Sequence, residues 1–146
     1  MRLALEQAQL AADKGEVPIG CILAGEGRIL GRGHNCVETL QDPTAHAEIL
    51  AISAAAGTLG SWRLIGVTAY VTVEPCMMCM GAFYQARLDR VVFGAREPKF
   101  GACGSRLDLT QIEGLNHTVR VEGGLLADEA AGLLQLFFRS LRDETT

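Results

Sequence analysis

The chain has 146 residues, 49% hydrophobic and 21% charged, with a formal net charge of −4 at pH 7. That length suits one domain with a sizeable core, and the composition excludes a disordered chain. No apolar run approaches the roughly 18–20 residues that span a bilayer, the N-terminus is too polar for a secretory signal, and net charge gives no pull towards nucleic acid.

Leu3, Ala4, Ala8, Leu10 and Ala11 recur with helical period, and Lys14-Gly15 closes that helix. Val17–Ala24 and Arg28–His34 flank Gly25-Glu26-Gly27 and read as a hairpin. Pro43, between Asp42 and Thr44, marks a helix start, with a small-residue helix over Ala45–Ala56 ended by Gly57. Val67–Val73 is rich in β-branched residues and reads as a strand. The apolar block CMMCMGAF opens a helix, and Arg90–Phe93 and Thr118–Val121 are further strands. Leu133, Leu134, Phe137, Phe138 and Leu141 make a wide apolar stripe on a helix over Asp128–Leu141. This order predicts a single α/β domain over residues 1–146, a mixed five-stranded sheet with helices on both faces.

Five cysteines, of which only Cys76 and Cys79 are close in sequence, favour reduced thiols, metal ligation or catalysis over a disulfide framework. Pro75-Cys76-Met77-Met78-Cys79 follows a strand and opens a helix, so the two sulfurs, three residues apart, share a face. The helix start also favours thiolate. His46 stands at the first turn of another helix, and helix starts at one strand edge converge. One nitrogen and two thiolates suit zinc, and three protein ligands leave a fourth position for water, as in catalytic sites. Cys21, Cys36 and Cys103 read as buried, inert thiols. A fourth ligand from one of them, or from His34 or His117, would instead close the site and make it structural.

Alone, Glu48 is a solvated carboxylate favoured by a helix start. Beside a zinc-activated water it becomes a proton carrier. H-x-E (His46-Ala47-Glu48) followed by P-C-x-x-C (Pro75–Cys79) is the signature of zinc deaminases. The chain resembles the bacterial tRNA-specific adenosine deaminases in GEVPIG, DPTAHAE, EPCMMCMGA, RVVFGAREPKFGACGS and LNHTVRVEGGLLADEAAGLLQLFFR, from about Ala4 to Arg142. DPTAHAE with RVVFGA separates that group from free-cytidine deaminases.

The resemblance implies a three-layer α/β/α, cytidine-deaminase-like fold and hydrolytic deamination of the wobble adenosine of a tRNA anticodon loop to inosine. It implies one zinc per subunit on His46, Cys76 and Cys79, with Glu48 shuttling protons and no organic cofactor. Asn35 matches an asparagine that hydrogen-bonds the extruded base; a turn-forming asparagine is its other reading. A cytoplasmic homodimer is implied, with the apolar CMMCMGAFY helix at the subunit contact and no membrane partner. The basic window Arg87, Arg90, Arg96, Lys99 and Arg106 offers phosphate contacts or a salt-laced surface. Phe100 and Cys103 depart from the smaller or plainer residues expected there, and the tail Asp143–Thr146 is acidic. Two alternatives stand beside this reading: a deaminase of a free base or nucleoside, of guanine or cytosine type, and a non-catalytic, zinc-stabilised RNA-binding module.

Overall fold

In the computed structural model, which describes residues 1–146, helix α1 (Arg2–Asp13) buries Ala4, Ala8 and Ala11, the stripe its period predicts. The chain leaves α1 through Gly15 at φ +76° and forms a hairpin of β1 (Gly20–Gly25) and β2 (Arg28–His34). Glu26 and Gly27 turn at φ 55° and 72°, the sign a two-residue hairpin turn demands. The strand expected from Val17 begins only at Gly20, because the preceding segment is held by other bonds. The Glu16 N–H donates to Ala11 O, and the buried Glu16 carboxylate accepts the N–H groups of Glu38 (3.0 Å) and Thr39 (2.6 Å). Those N–H groups are unpaired donors at the start of α2 (Val37–Leu40), a helix too short to show a period in sequence. Glu16 thus caps it from 22 residues away.

Helix α3 (Ala47–Leu59) begins later and ends later than expected. Asp42 forms a side-chain turn instead, its Oδ1 accepting the Thr44 N–H at 2.8 Å and the Thr44 hydroxyl at 2.7 Å. His46, with extended backbone, is the residue that enters the helix. Gly57 lies in open space and costs only about 1 kcal/mol against alanine, so the helix runs through it. It ends at Gly60, where a left-handed φ of 64° is required.

Strands β3 (Thr68–Val73), β4 (Arg90–Ala95) and β5 (Arg120–Gly123) complete a sheet of order β2-β1-β3-β4-β5. β1 is antiparallel to both neighbours, and β3, β4 and β5 run parallel. The last strand starts two residues after Thr118 because Val119 turns into the core first; pairing begins where the Arg120 N–H reaches Asp89 O at 3.0 Å. Helix α3 packs on β1, β2 and β3 beside α4 (Met77–Gln85), while α1 and α5 (Ala127–Glu144) pack together on the other side. The mixed sheet and three layers match the expectation. Phe83, Phe93, Leu23, Leu64, Met80 and Leu88 are the largest fully buried side chains. No helix is long and apolar enough to cross a membrane.

One contact fixes where α3 sits. Its buried alanines, Ala47, Ala51 and Ala55, lie on β2 at Gly31 and Gly33. A methyl group on Gly33 would stand 2.1 Å from Ala47 O, and one on Gly31 would stand 2.4 Å from Ala51 O. Small residues on both sides let helix and strand approach this closely, which sets the height of His46 and Glu48 above the sheet.

Candidate metal centre and substrate cavity

The parallel strands β3 and β4 end at one edge of the sheet, where α3 and α4 begin, and such edges collect functional groups. Cys76 enters α4 with extended backbone, and Cys79 lies one turn inside it. His46 enters α3 in the same way. His46 Nδ1 lies 3.7 Å from Cys76 Sγ and 3.6 Å from Cys79 Sγ, and all three donor atoms fall within 4.8 Å of one another. Bonds of about 2.0 Å to nitrogen and about 2.3 Å to sulfur, at a tetrahedral angle, place such donors about 3.5 Å apart. Donor type and spacing therefore both fit zinc.

No fourth side chain joins the group. His34 Nε2 faces Lys14 Nζ at 3.1 Å, the His117 ring pairs with Leu88 O, and Cys36 Sγ donates to His34 O. Cys21 is buried as expected, whereas Cys36, at the start of α2, and Cys103, in the loop between β4 and β5, are only partly buried because neither lies under the sheet.

A hydrogen bond from Cys79, opposed by burial and helped by His46, holds Cys76 down at about 4. The same bond, together with burial, pushes Cys79 up. A divalent cation between them would ionise both. The bond to Cys76 also raises His46. Glu48 is 4% exposed, and burial raises its carboxyl; Cys79 lies within hydrogen-bonding reach. Burial thus disfavours the charged form of this carboxyl relative to an exposed one.

Beside His46 opens a cavity of about 680 Å³. Asn35, 7% exposed, lines it with Val17, Ile19 and, from the far end of α5, Phe137, Phe138 and Leu141. The two phenylalanine rings meet edge to face at 5.4 Å. The stripe on α5 therefore supplies a cavity wall, and Ala130 rather than any stripe residue is the one the helix buries fully.

Two carboxylates here were not legible as site residues. Glu16 backs the cavity wall through α2. Glu74, 3% exposed, accepts the N–H groups of Glu97 (3.1 Å), Cys103 (2.9 Å) and Ser105 (3.2 Å), and the Ser105 hydroxyl. Its one visible signal is its position in EPC, beside the ligand motif. It ties the loop after β4 to the start of α4, where Gly101 also pairs with Cys76 and the Ala102 N–H reaches Pro75 O at 2.8 Å.

Burial pushes the Glu74 carboxyl up, but the bonds from Ser105, Cys103 and Glu97 outweigh it and hold the group below its ordinary value of 4.5. A depressed carboxyl adds stability that is present above about pH 4.5 and lost as pH falls through the lower folded value. Glu74→Gln should cost about 3 kcal/mol at pH 7, with the difference from the parent shrinking below pH 4. Urea unfolding of both proteins at pH 7 and pH 3.5 measures this, and taking the difference cancels metal loss common to the two. A difference that does not change with pH would refute the role.

Three cations of the basic window are engaged by neighbouring groups. Arg90 makes a paired contact with Glu122, Arg87 donates to Tyr84 O and Gln85 O, and Arg96 lies over the Phe93 ring and donates to Cys103 O. The outward face of α4 carries Met77, 58% exposed, then Gly81 and, a turn further, Gln85.

A family model described as MafB19-like deaminase matches residues 1–142. The tRNA-specific adenosine deaminase of Bacillus subtilis (strain 168) is 49% identical over 142 residues, covering 97% of this chain and 88% of that protein. A solved structure from work on A-to-I editing by tRNA:A34 deaminases at the wobble position of transfer RNA superimposes with a TM-score of 0.87 at 42% identity, covering 92% of this chain and 97% of that one. A guanine deaminase from Nitrosomonas europaea superimposes with a TM-score of 0.78 at 27% identity, covering 93% and 81%.

Proposed function

The chain belongs to the MafB19-like deaminase family, and from that premise we propose that it hydrolyses the wobble adenosine of a tRNA anticodon loop to inosine and ammonia. The observation that carries the reading is the meeting of His46, Cys76 and Cys79 beside a buried Glu48, at the edge of a cavity large enough for a purine. The tRNA substrate is supported by the 49% identical relative over nearly the whole chain.

His46, Cys76 and Cys79 would hold one zinc ion per subunit. When bound, zinc supplies Lewis acidity that makes water a nucleophile near neutral pH. Asn35, at the cavity wall, would hydrogen-bond the purine edge and hold C6 towards that centre. Glu48 would take a proton from the attacking water and deliver it to N1. It would then take the proton of the hydroxyl now on C6 and deliver it to the exocyclic nitrogen, which leaves as ammonia while C6 keeps the oxygen as a carbonyl. An anticodon-loop base is already partly unstacked, so bringing it into the cavity costs less than in a duplex. The outward face of α4, with Met77 exposed, supports a homodimer contact, and a tRNA substrate supports a cytoplasmic location.

The experiment is a side-by-side incubation of the purified protein with an anticodon stem-loop bearing a wobble adenosine, and with free adenosine, guanine and cytidine. Inosine in the stem-loop, lost on chelation and restored by zinc, is the expected result. Turnover of guanine or cytidine alone would replace this reading with the free-base alternative.

A further inference from the structure

The reading above leaves one side chain beside the metal ligands without a task. Phe100 is 66% exposed. A lone exposed apolar residue is ordinary on a loose loop, but this loop is held rigidly. Gly101, the next residue, is wedged so tightly that a methyl group there would stand 2.4 Å from Glu97 O and 2.5 Å from the Glu74 carboxylate. Its backbone pairs with Cys76, and Glu74 fixes residues 97, 103 and 105 on either side. Phe100 is therefore presented to solvent by a fixed backbone, one residue from the pairing partner of Cys76, at the edge of the sheet where α4 begins.

Lys99, beside Phe100, and Arg106 are exposed cations of this loop, while the Arg96 guanidinium is engaged by the Phe93 ring, Cys103 O and, at 4.0 Å, Glu74. Of the nearby acids, Glu74 is buried under the loop, Glu97 accepts the Lys99 N–H at 2.8 Å, and Asp108 accepts the Thr110 N–H at 2.8 Å. An exposed aromatic ring among cations is the composition of a single-strand nucleic-acid contact, in which a base stacks on the ring and the cations hold the backbone. Pulling one base out of a loop also leaves its neighbour without a stacking partner.

We propose that Phe100, with Lys99 beside it, is a stacking contact for a nucleobase flanking the extruded adenosine on single-stranded RNA. This rests on the functional reading above and adds the residue that receives the neighbouring base.

The test is binding of a fluorescein-labelled anticodon stem-loop to the zinc-loaded protein, followed by anisotropy, for the parent, Phe100→Ala, Phe100→Tyr and Lys99→Ala. Phe100→Ala should weaken binding roughly tenfold and raise KM alongside, with metal content and melting temperature unchanged, and Phe100→Tyr should restore affinity. Lys99→Ala should weaken binding and flatten its salt dependence. Equal affinity of parent and Phe100→Ala overturns this inference while leaving the functional reading intact. A changed oligomeric state at unchanged RNA affinity also overturns it and makes Phe100 a subunit contact. A parent that neither binds nor deaminates the stem-loop refutes the functional reading and this inference together.

Discussion

Glu48→Gln should lower the deamination rate by about 10²–10⁴-fold while leaving the fold and the metal in place. The reason is local. Glu48 is 4% exposed and lies against Cys79, but it is not among the donors that meet at His46, Cys76 and Cys79. Glutamine has the same size and keeps hydrogen-bonding capacity, so no cavity opens. It also removes the need to bury a carboxyl whose charged form burial already disfavours. What it cannot do is take a proton from water and return it to the base. Rate of inosine formation, metal content and melting temperature, measured on one preparation, separate these effects. Residual activity within tenfold of the parent would remove Glu48 from the mechanism, and metal loss would instead make it part of the binding site. A non-catalytic zinc module predicts that the same substitution changes nothing measurable in RNA binding.

Gly33→Ala should damage both stability and metal binding, although residue 33 touches no donor atom. A methyl group there would stand 2.1 Å from Ala47 O and 2.7 Å from Ala51 N, both of them backbone, so relief requires α3 to move off β2. Overpacking of this kind costs about 1–3 kcal/mol, which for a domain of this size lowers the melting temperature by about 2–12 °C. The displaced helix carries His46 at its entrance, and metal sites tolerate only a few tenths of an ångström. Zinc should therefore leave faster on dialysis against a chelator. Gly57→Ala is the matched control. It lies in α3 in open space, so alanine there should stabilise the protein by up to about 1 kcal/mol. Equal melting temperatures for the two variants would refute the packing account.

Much of the fold was visible in local patterns. The alanine period of α1, the hairpin around Gly27 and the β-branched run of β3 were each readable within a dozen residues. The misplacements have physical causes of longer reach. The start of β1 moved because Glu16 bonds to residues 22 and 23 positions away. The start of α3 moved because Asp42 satisfied Thr44 before any helix formed. Pro43 marks that turn, and His46 rather than Asp42 is the residue from which both site side chains take their direction.

By itself the sequence singled out the candidate donor set and the carboxylate beside it. Cys76 and Cys79 share a face because of helix geometry, and His46 and Glu48 flank one helix start, so their identities needed no knowledge of the rest of the chain. Only the tertiary structure decided that the two helix starts meet with donor atoms 3.6–3.7 Å apart, and that no fourth ligand reaches them. It alone showed that Glu74 binds a loop across 23 to 31 residues of chain. Those facts depend on close packing of Gly31 and Gly33 against α3 and on a buried carboxylate finding distant N–H groups. Neither leaves a periodic trace in sequence, because both are contacts between segments rather than properties of one.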